Sequence, residues 1–349
     1  MPPHNILITG GSGYLGGTLL AHLSSFPLPL HGTVYASVRT AAQAESVKQY
    51  NVTPLPIDFS DTTALKQEII NKEISIIFFL IDARHSTNQV SMIEALGEVK
   101  TKTGKEVHFL HTTGAKLFSD IVGHPTNKPL LDTDPGLYEI QKTCKGPFDI
   151  MNECVQTNNT VIEIASKHGV KSYIFAPCIV YGEGEGFGNK ISIQTVAIVQ
   201  AAKALRQVYK TQEGNPTWPV CHVLDNTTLY LQILKKILEG EDVGHGKDGY
   251  FLASPGSVAW NDIYSAIAKA MFKRGAVDDG SVKLADDATL EKLGDALRVP
   301  AAFVPVQLSR CCTFTAVHGK EIGWKPKYEA EHILEVADAE VELILKYLK

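Results

Sequence analysis

Residues 5–20 read NILITGGSGYLGGTLL. A short apolar run meets a glycine cluster, and apolar residues at helical spacing follow, so the stretch reads strand, turn, helix. Gly10, Gly13 and Gly16 stand three apart in it. The first glycine allows the tight turn, the second lets backbone approach a pyrophosphate, and the third lets helix and strand pack closely. The N–H groups and dipole at the helix start then face an anion. This spacing is one residue longer than G-x-G-x-x-G but uses the same physics. Ser12, Tyr14 and Leu15 complete the turn. A glycine triplet alone is a weak signal; its place between strand and helix gives it weight.

Working outward, strand-like runs recur at 5–9, 33–38, 53–57, 75–81, 106–112 and 171–177. Helical stretches lie between them, including TTALKQEIINKE and TNQVSMIEALGEVKTKTG. Six strands alternating with helices predict an α/β fold, a doubly wound parallel sheet of Rossmann type with right-handed crossovers. After residue 182 the rhythm changes to GEGEGFGNKIS, a glycine-rich loop, and then to mostly helical segments. VCHVLD precedes a helix at TTLYLQILKKILEG, GYFLAS reads as a strand, and the acidic 278–295 region reads as a solvated helix with its lead-in. The expected division is a dinucleotide-binding domain over 1–182 and a smaller, mostly helical substrate lobe over 183–349, with some segments completing the sheet.

The bulk numbers narrow the function classes. A 349-residue chain with 44% hydrophobic and 20% charged residues can bury a sizeable core. A net charge of -5 without a long basic run argues against a nucleic-acid partner. IIFFLI, residues 76–81, falls far short of the roughly 20 apolar residues of a membrane helix and suits a strand buried on both faces. MPPHNILITGG lacks a charged-then-apolar leader pattern, and six cysteines without C-x-x-C spacing suit idle thiols in a reducing compartment. A cytoplasmic protein is expected. No His/Cys/Asp cluster has metal-ligand spacing, so no metal is expected.

The second strand ends YASVRTA, with Arg39 where an NAD site would place a carboxylate on the ribose hydroxyls. A guanidinium suits a 2'-phosphate, which favours NADP over NAD. After the third strand, IDFSD puts Asp58 and the Phe59 backbone near the adenine edge.

TGGSGYLG, IDFSD, PCIVYGEGEG, HVLDNTTLY and IGWKPKY occur in this order over nearly the whole chain. On these motifs the sequence resembles the extended short-chain dehydrogenases, the NAD(P)-dependent epimerase/dehydratase group. GFGNKISIQ followed by GYFLASPGSVAWNDI is similar to an atypical branch met in fungal metabolism. The resemblance implies nicotinamide contacts at Pro177 and Val180. It also implies a reaction centre of Ser/Thr, Tyr and Lys acting on a small-molecule substrate, and a long helix that serves many relatives as a homodimer face. Thr112 and Thr113 end the fifth strand where the hydroxyl belongs, and Tyr138 and Lys142 form a Tyr-x-x-x-Lys pair.

The pair departs from the family in its onward spacing, since Pro177 lies 39 residues after Tyr138. Counting back from Pro177 puts the tyrosine slot at Ile150 or Phe148 and the lysine slot at Cys154 or Asn152. Gly146-Pro147 should end any helix carrying the pair. A new helix should start near Asp149, a cap candidate, with Glu153 in its first turns, and should stop at Gly169. Tyr138 is then either a proton donor reaching the site from ahead of that helix or an ordinary packed tyrosine. Further candidates are Asp82 and His85 after the fourth strand, Lys116 beside Thr113, His111 as a packed strand residue, and His222 and Asp225 at the lobe junction. Three functions stay open: an NADP-dependent oxidoreductase of a small organic metabolite, by carbonyl reduction, alcohol oxidation or epimerase-like chemistry; a non-redox acid–base enzyme on the same scaffold; and a silent nicotinamide-sensing protein.

Overall fold

A computed structural model describes residues 3–348. The main sheet holds β1 (Asn5–Ile8), β2 (Val34–Val38), β3 (Thr53–Pro56), β4 (Ile74–Phe79) and β5 (His108–Thr112). Beyond β6 (Leu130–Leu131), β7 (Lys171–Pro177) joins the same sheet. Its helices are α1 (Tyr14–His22), α2 (Ala41–Lys48), α3 (Thr62–Asn71), α4 (Thr87–Thr103), α5 (Leu137–Thr143) and α6 (Asp149–His168). Every residue of β4 is buried, as helices on both faces require. Local chemistry sets the helix ends: the Asp61 carboxylate accepts from the Thr63 and Ala64 N–H groups at the start of α3, and Gly104 and Gly169 close α4 and α6 in left-handed conformations.

The second half supplies β8 (Ile179–Tyr181), α7 (Gln194–Leu205), β9 (Val208–Lys210), β10 (Thr217–His222), α8 (Val223–Leu238), β11 (Tyr250–Ala253), β12 (Gly256–Ala259) and α9 (Trp260–Lys273). It ends with β13 (Val282–Leu284), α10 (Asp287–Leu297), α11 (Val304–Leu308), β14 (Phe314–Thr315), α12 (His318–Glu321), α13 (His332–Glu335) and α14 (Ala337–Tyr347). The seven-stranded sheet runs β11-β7-β5-β4-β1-β2-β3 with parallel pairing throughout, the doubly wound order the sequence predicts. β11 joins from beyond residue 182. A smaller sheet runs β12-β10-β8, and two-stranded pairings join β13 to β9 and β14 to β6.

Three expectations need correction. α6 begins at Asp149, but its cap residue is Phe148 and no side chain caps it. α8 begins at Val223, because the His222 imidazole accepts from the Leu224 N–H and takes Asp225 and Asn226 into the helix. Only the later part of the acidic stretch is helix, while residues 282–284 pair with β9. One apolar core runs through both halves, from Ile6 and Phe78 to Trp218, Tyr264 and Val341. Among the described residues, no helix is long and apolar enough to cross a membrane, and no group of three acidic, His or Cys side chains could hold a metal.

Candidate functional site

The glycine turn sits at the carboxyl end of β1, against a cleft of about 1170 Å³ bordered by Gly10, Ser12, Gly13, Arg39, Asp58 and Phe59. Gly10 has φ +75°, and a Cβ on Gly16 would lie 2.3 Å from the Gly10 carbonyl oxygen. Both positions therefore require glycine. No side chain caps α1, which leaves its first-turn N–H groups to an external anion. These features fit a dinucleotide pyrophosphate. The Arg39 N–H donates to Gln43 Oε1 (2.8 Å), and Gln43 Nε2 donates to Ser12 Oγ (3.3 Å). The exposed Arg39 guanidinium has no ion-pair partner among the described residues. Asp58 accepts from the Ser60 hydroxyl and N–H, and the hydroxyl holds its carboxyl below the usual range.

Tyr14, Leu15 and Val180 do not border this cleft. Tyr14 is buried with Val180 and Val223, with Leu15 packed against them, and its hydroxyl donates to the Gly182 carbonyl (2.6 Å). Their side chains fasten α1 to the second half. The glycine-rich loop completes that fastening. A Cβ on Gly186 would lie 2.4 Å from the Gly17 Cα, and one on Gly188 would lie 2.0 Å from the Ser12 carbonyl oxygen. The Asn189 N–H donates to that same oxygen (3.0 Å). Glu340 on α14 anchors the loop's base, accepting from the Gly182 N–H (2.9 Å) and the Thr195 hydroxyl (2.9 Å).

At the carboxyl end of β5 lies a second cavity of about 170 Å³, bordered by Thr113, Lys116, Met151, Cys154, Pro177 and Trp218. Thr112 and Thr113 separate here. The Thr112 hydroxyl is paired with the Tyr230 hydroxyl (2.8 Å), whereas Thr113 Oγ1 is buried without a partner. Lys116 sits on a short 3₁₀ turn, Ala115–Phe118, and burial pushes its ammonium down to about 8. Burial pushes the Cys154 thiol up to about 11, so it stays protonated at neutral pH.

Tyr138 and Lys142 are not brought to this cavity. Both lie on α5, where the Tyr138 hydroxyl donates to Glu163 Oε1 (2.7 Å) and Lys142 Nζ donates to the same oxygen (2.9 Å). Glu163 is nine residues along α6 from Cys154, or about 14 Å of helix. Burial and the Glu163 carboxylate raise the Tyr138 phenol above its ordinary value, the reverse of what a proton donor at neutral pH needs. Gly146-Pro147 is the physical reason, because it ends α5 and lets α6 begin afresh. The pocket face of α6 carries Met151 and Cys154 instead. Of the two lysine slots counted back from Pro177, Cys154 borders this cavity, whereas Asn152 exchanges hydrogen bonds with the Gly146 backbone.

The remaining candidates are structural in their contacts. Burial works against an ionised Asp82, but the His85 imidazole (2.9 Å) and the Arg84 and His85 N–H groups hold its carboxyl below the usual range, in a local turn at the cleft edge. His111 is fully buried, stacked on Phe79, and pushed down to about 4 by burial. Asp225 accepts from the Lys327 and Tyr328 N–H groups (2.7 and 2.9 Å), docking the IGWKPKY segment. Sequence reasoning missed Met151 and Trp218. Trp218 carries no local signal, because it reaches the cavity from β10, far along the chain.

No family model matches the sequence, and no curated protein does. Solved structures match over the whole length. UDP-glucose 4-epimerase from Thermotoga maritima, solved with UDP-glucose, aligns at 16% identity and TM-score 0.64, covering 99% of this chain and 100% of that one. dTDP-glucose 4,6-dehydratase from Bacillus anthracis, solved with NAD, aligns at 11% and 0.62, covering 99% and 97%. UDP-N-acetylglucosamine 4-epimerase from Methanobrevibacter ruminantium aligns at 11% and 0.62, covering 100% of both. These likenesses establish the architecture from end to end: the chain has the Rossmann-type fold of these epimerases and this dehydratase, as the resemblance to extended short-chain dehydrogenases implies.

Proposed function

We propose that the protein is an NADP-dependent oxidoreductase, reducing a carbonyl or oxidising an alcohol of a small organic metabolite. One observation carries the reading: an unpartnered Thr113 hydroxyl borders a cavity on the same carboxyl edge of the sheet as the dinucleotide cleft. Gly10, Gly13 and the uncapped start of α1 would hold the pyrophosphate, Asp58 and Phe59 the adenine side, and Pro177 the nicotinamide end. The bound group supplies hydride transfer. Thr113 supplies a hydroxyl to orient the reacting oxygen. A cavity of about 170 Å³ lies below the ~300 Å³ at which drug-sized sites begin, so the reacting part of the substrate is small.

Arg39 supports NADP over NAD. Charge-assisted bonds to a 2'-phosphate are worth ~1.5–3 kcal/mol, so Arg39→Ala should weaken NADP binding about 10- to 100-fold and leave NAD binding nearly unchanged. Calorimetric titration of both dinucleotides reads this directly. Tighter binding of NAD than NADP by the native protein would overturn the preference. The displacement of Tyr138 and Lys142 favours a second reading, acid–base turnover without net hydride transfer. Monitoring NADPH across a panel of small ketones separates the two, since the second predicts product without NADPH loss. A reducing, cytoplasmic location, supported by six free thiols, belongs to the same proposal, as do homodimerisation through α6 and the division into cofactor and substrate lobes near residue 182.

A further inference from the structure

We propose that Lys116 is the proton-transfer group of this pocket, acting on a small carbonyl compound held at its oxygen by Thr113. The inference rests on the oxidoreductase reading above. Two juxtaposed features carry it. Thr113 and Lys116, three residues apart around the Gly114 turn, border the same cavity. The Thr113 hydroxyl is buried and unpartnered, and the half-buried Lys116 makes no ion pair with a carboxylate among the described residues. A buried polar group without a partner is costly. A donor pair left open to a cavity gains its missing acceptor when a substrate oxygen enters.

The surroundings suit proton transfer better than permanent charge. Leu117, Met151, Pro177 and Trp218 make the cavity largely apolar. Burial lowers the ammonium to about 8, close to where a general acid works best. The other ionisable groups around it are raised by burial or already hydrogen-bonded. The thiols of Cys154 on α6, Cys178 after β7 and Cys312 before β14 are all raised by burial. Asp120 in the next turn accepts the Cys311 N–H, and Asp82 and His85 beyond Ala83 pair with each other.

In the reductive direction a bound reduced nicotinamide would supply the hydride to the carbonyl carbon, and the C–O π pair would take its proton from Lys116 Nζ. The products are alcohol, oxidised nicotinamide and a neutral amine, which regains its proton from solvent. In the oxidative direction the neutral amine takes the hydroxyl proton as hydride leaves.

The test compares native protein with Lys116→Arg and Lys116→Met, in the full chain. Native ketone reduction should fall as pH rises past about 8. Both variants should lose at least about 100-fold in kcat with KM changed less than about threefold, Arg because it keeps the charge but does not release its proton. Carbon NMR of ¹³Cε-lysine protein without ligands should show one resonance titrating near 8, missing from Lys116→Met. Lys116→Met should also melt higher at pH 7, which separates lost chemistry from lost folding. Absence of NADPH consumption by the native protein overturns the oxidoreductase reading and this inference with it. With consumption established, a Lys116→Met enzyme within about tenfold of native, or no lysine titrating near 8, overturns the role of Lys116 alone.

Discussion

Tyr138 and Lys142 stand one helical turn apart, and that spacing does what it predicts: the two side chains share a face and meet. What the spacing does not reveal is the third member. Glu163 lies twenty-one residues beyond Lys142, past the helix interruption at Gly146-Pro147, and turns the pair into a surface clamp between α5 and α6. Tyr138→Phe removes one hydrogen bond to this clamp, so stability should fall by only ~1 kcal/mol and kcat should stay within about twofold. A denaturant titration beside a rate assay checks both. A loss of activity with stability intact would restore Tyr138 to the chemistry. The glycines were legible because what they answer to is local, one tight turn between one strand and one helix. Lys116 was legible only as a nearby cation; its isolation from any carboxylate is a property of the packed surroundings.

At the scale of elements, long periodic segments were legible, and the two-residue strands were not. β6 and β14 have too few residues for a period, so nothing local marks them. Asp132 marks them structurally. Its carboxylate accepts from the Leu252 N–H (3.0 Å), the Val317 N–H (2.7 Å) and the His318 N–H (3.0 Å), tying β6 to β11 and α12. Asp132→Ala leaves three N–H groups without that acceptor, at an expected cost of ~3–5 kcal/mol and a clear drop in melting temperature. Asp132→Asn retains one acceptor oxygen and should fall between the two. Asp225 plays the corresponding part for α8, which explains why HVLD and WKPKY occur together: the acid on one accepts the N–H groups of the other.

Across the whole molecule, buried neutral histidines set the response to acid. Burial lowers His108 well below 6.5, and it lowers His111, His124 and His222 to about 4. Between about 6.5 and 4 the unfolded chain therefore binds more protons than the folded one at these sites, and stability falls as pH falls through that window. Each such group contributes up to ~1.4 kcal/mol per pH unit. Asp120, Asp132, Asp225 and Glu340, raised by burial, take up protons in the folded state and soften the lower end of the window. Calorimetry at pH 7 and pH 5 should show a lower melting temperature at pH 5. His111→Phe, which fills a fully buried site beside Phe79, should shrink the difference.

The backbone contact between Gly186–Gly188 and Ser12–Gly17 also bears on how the chain is made. The glycine turn leaves the ribosome well before the residues that press against it, which are synthesised only as the chain reaches position 188. A nascent chain holding β1 and α1 thus presents an unfinished turn, open on the side that the loop later closes. The order of synthesis places closure of the turn late, after the sheet is largely assembled.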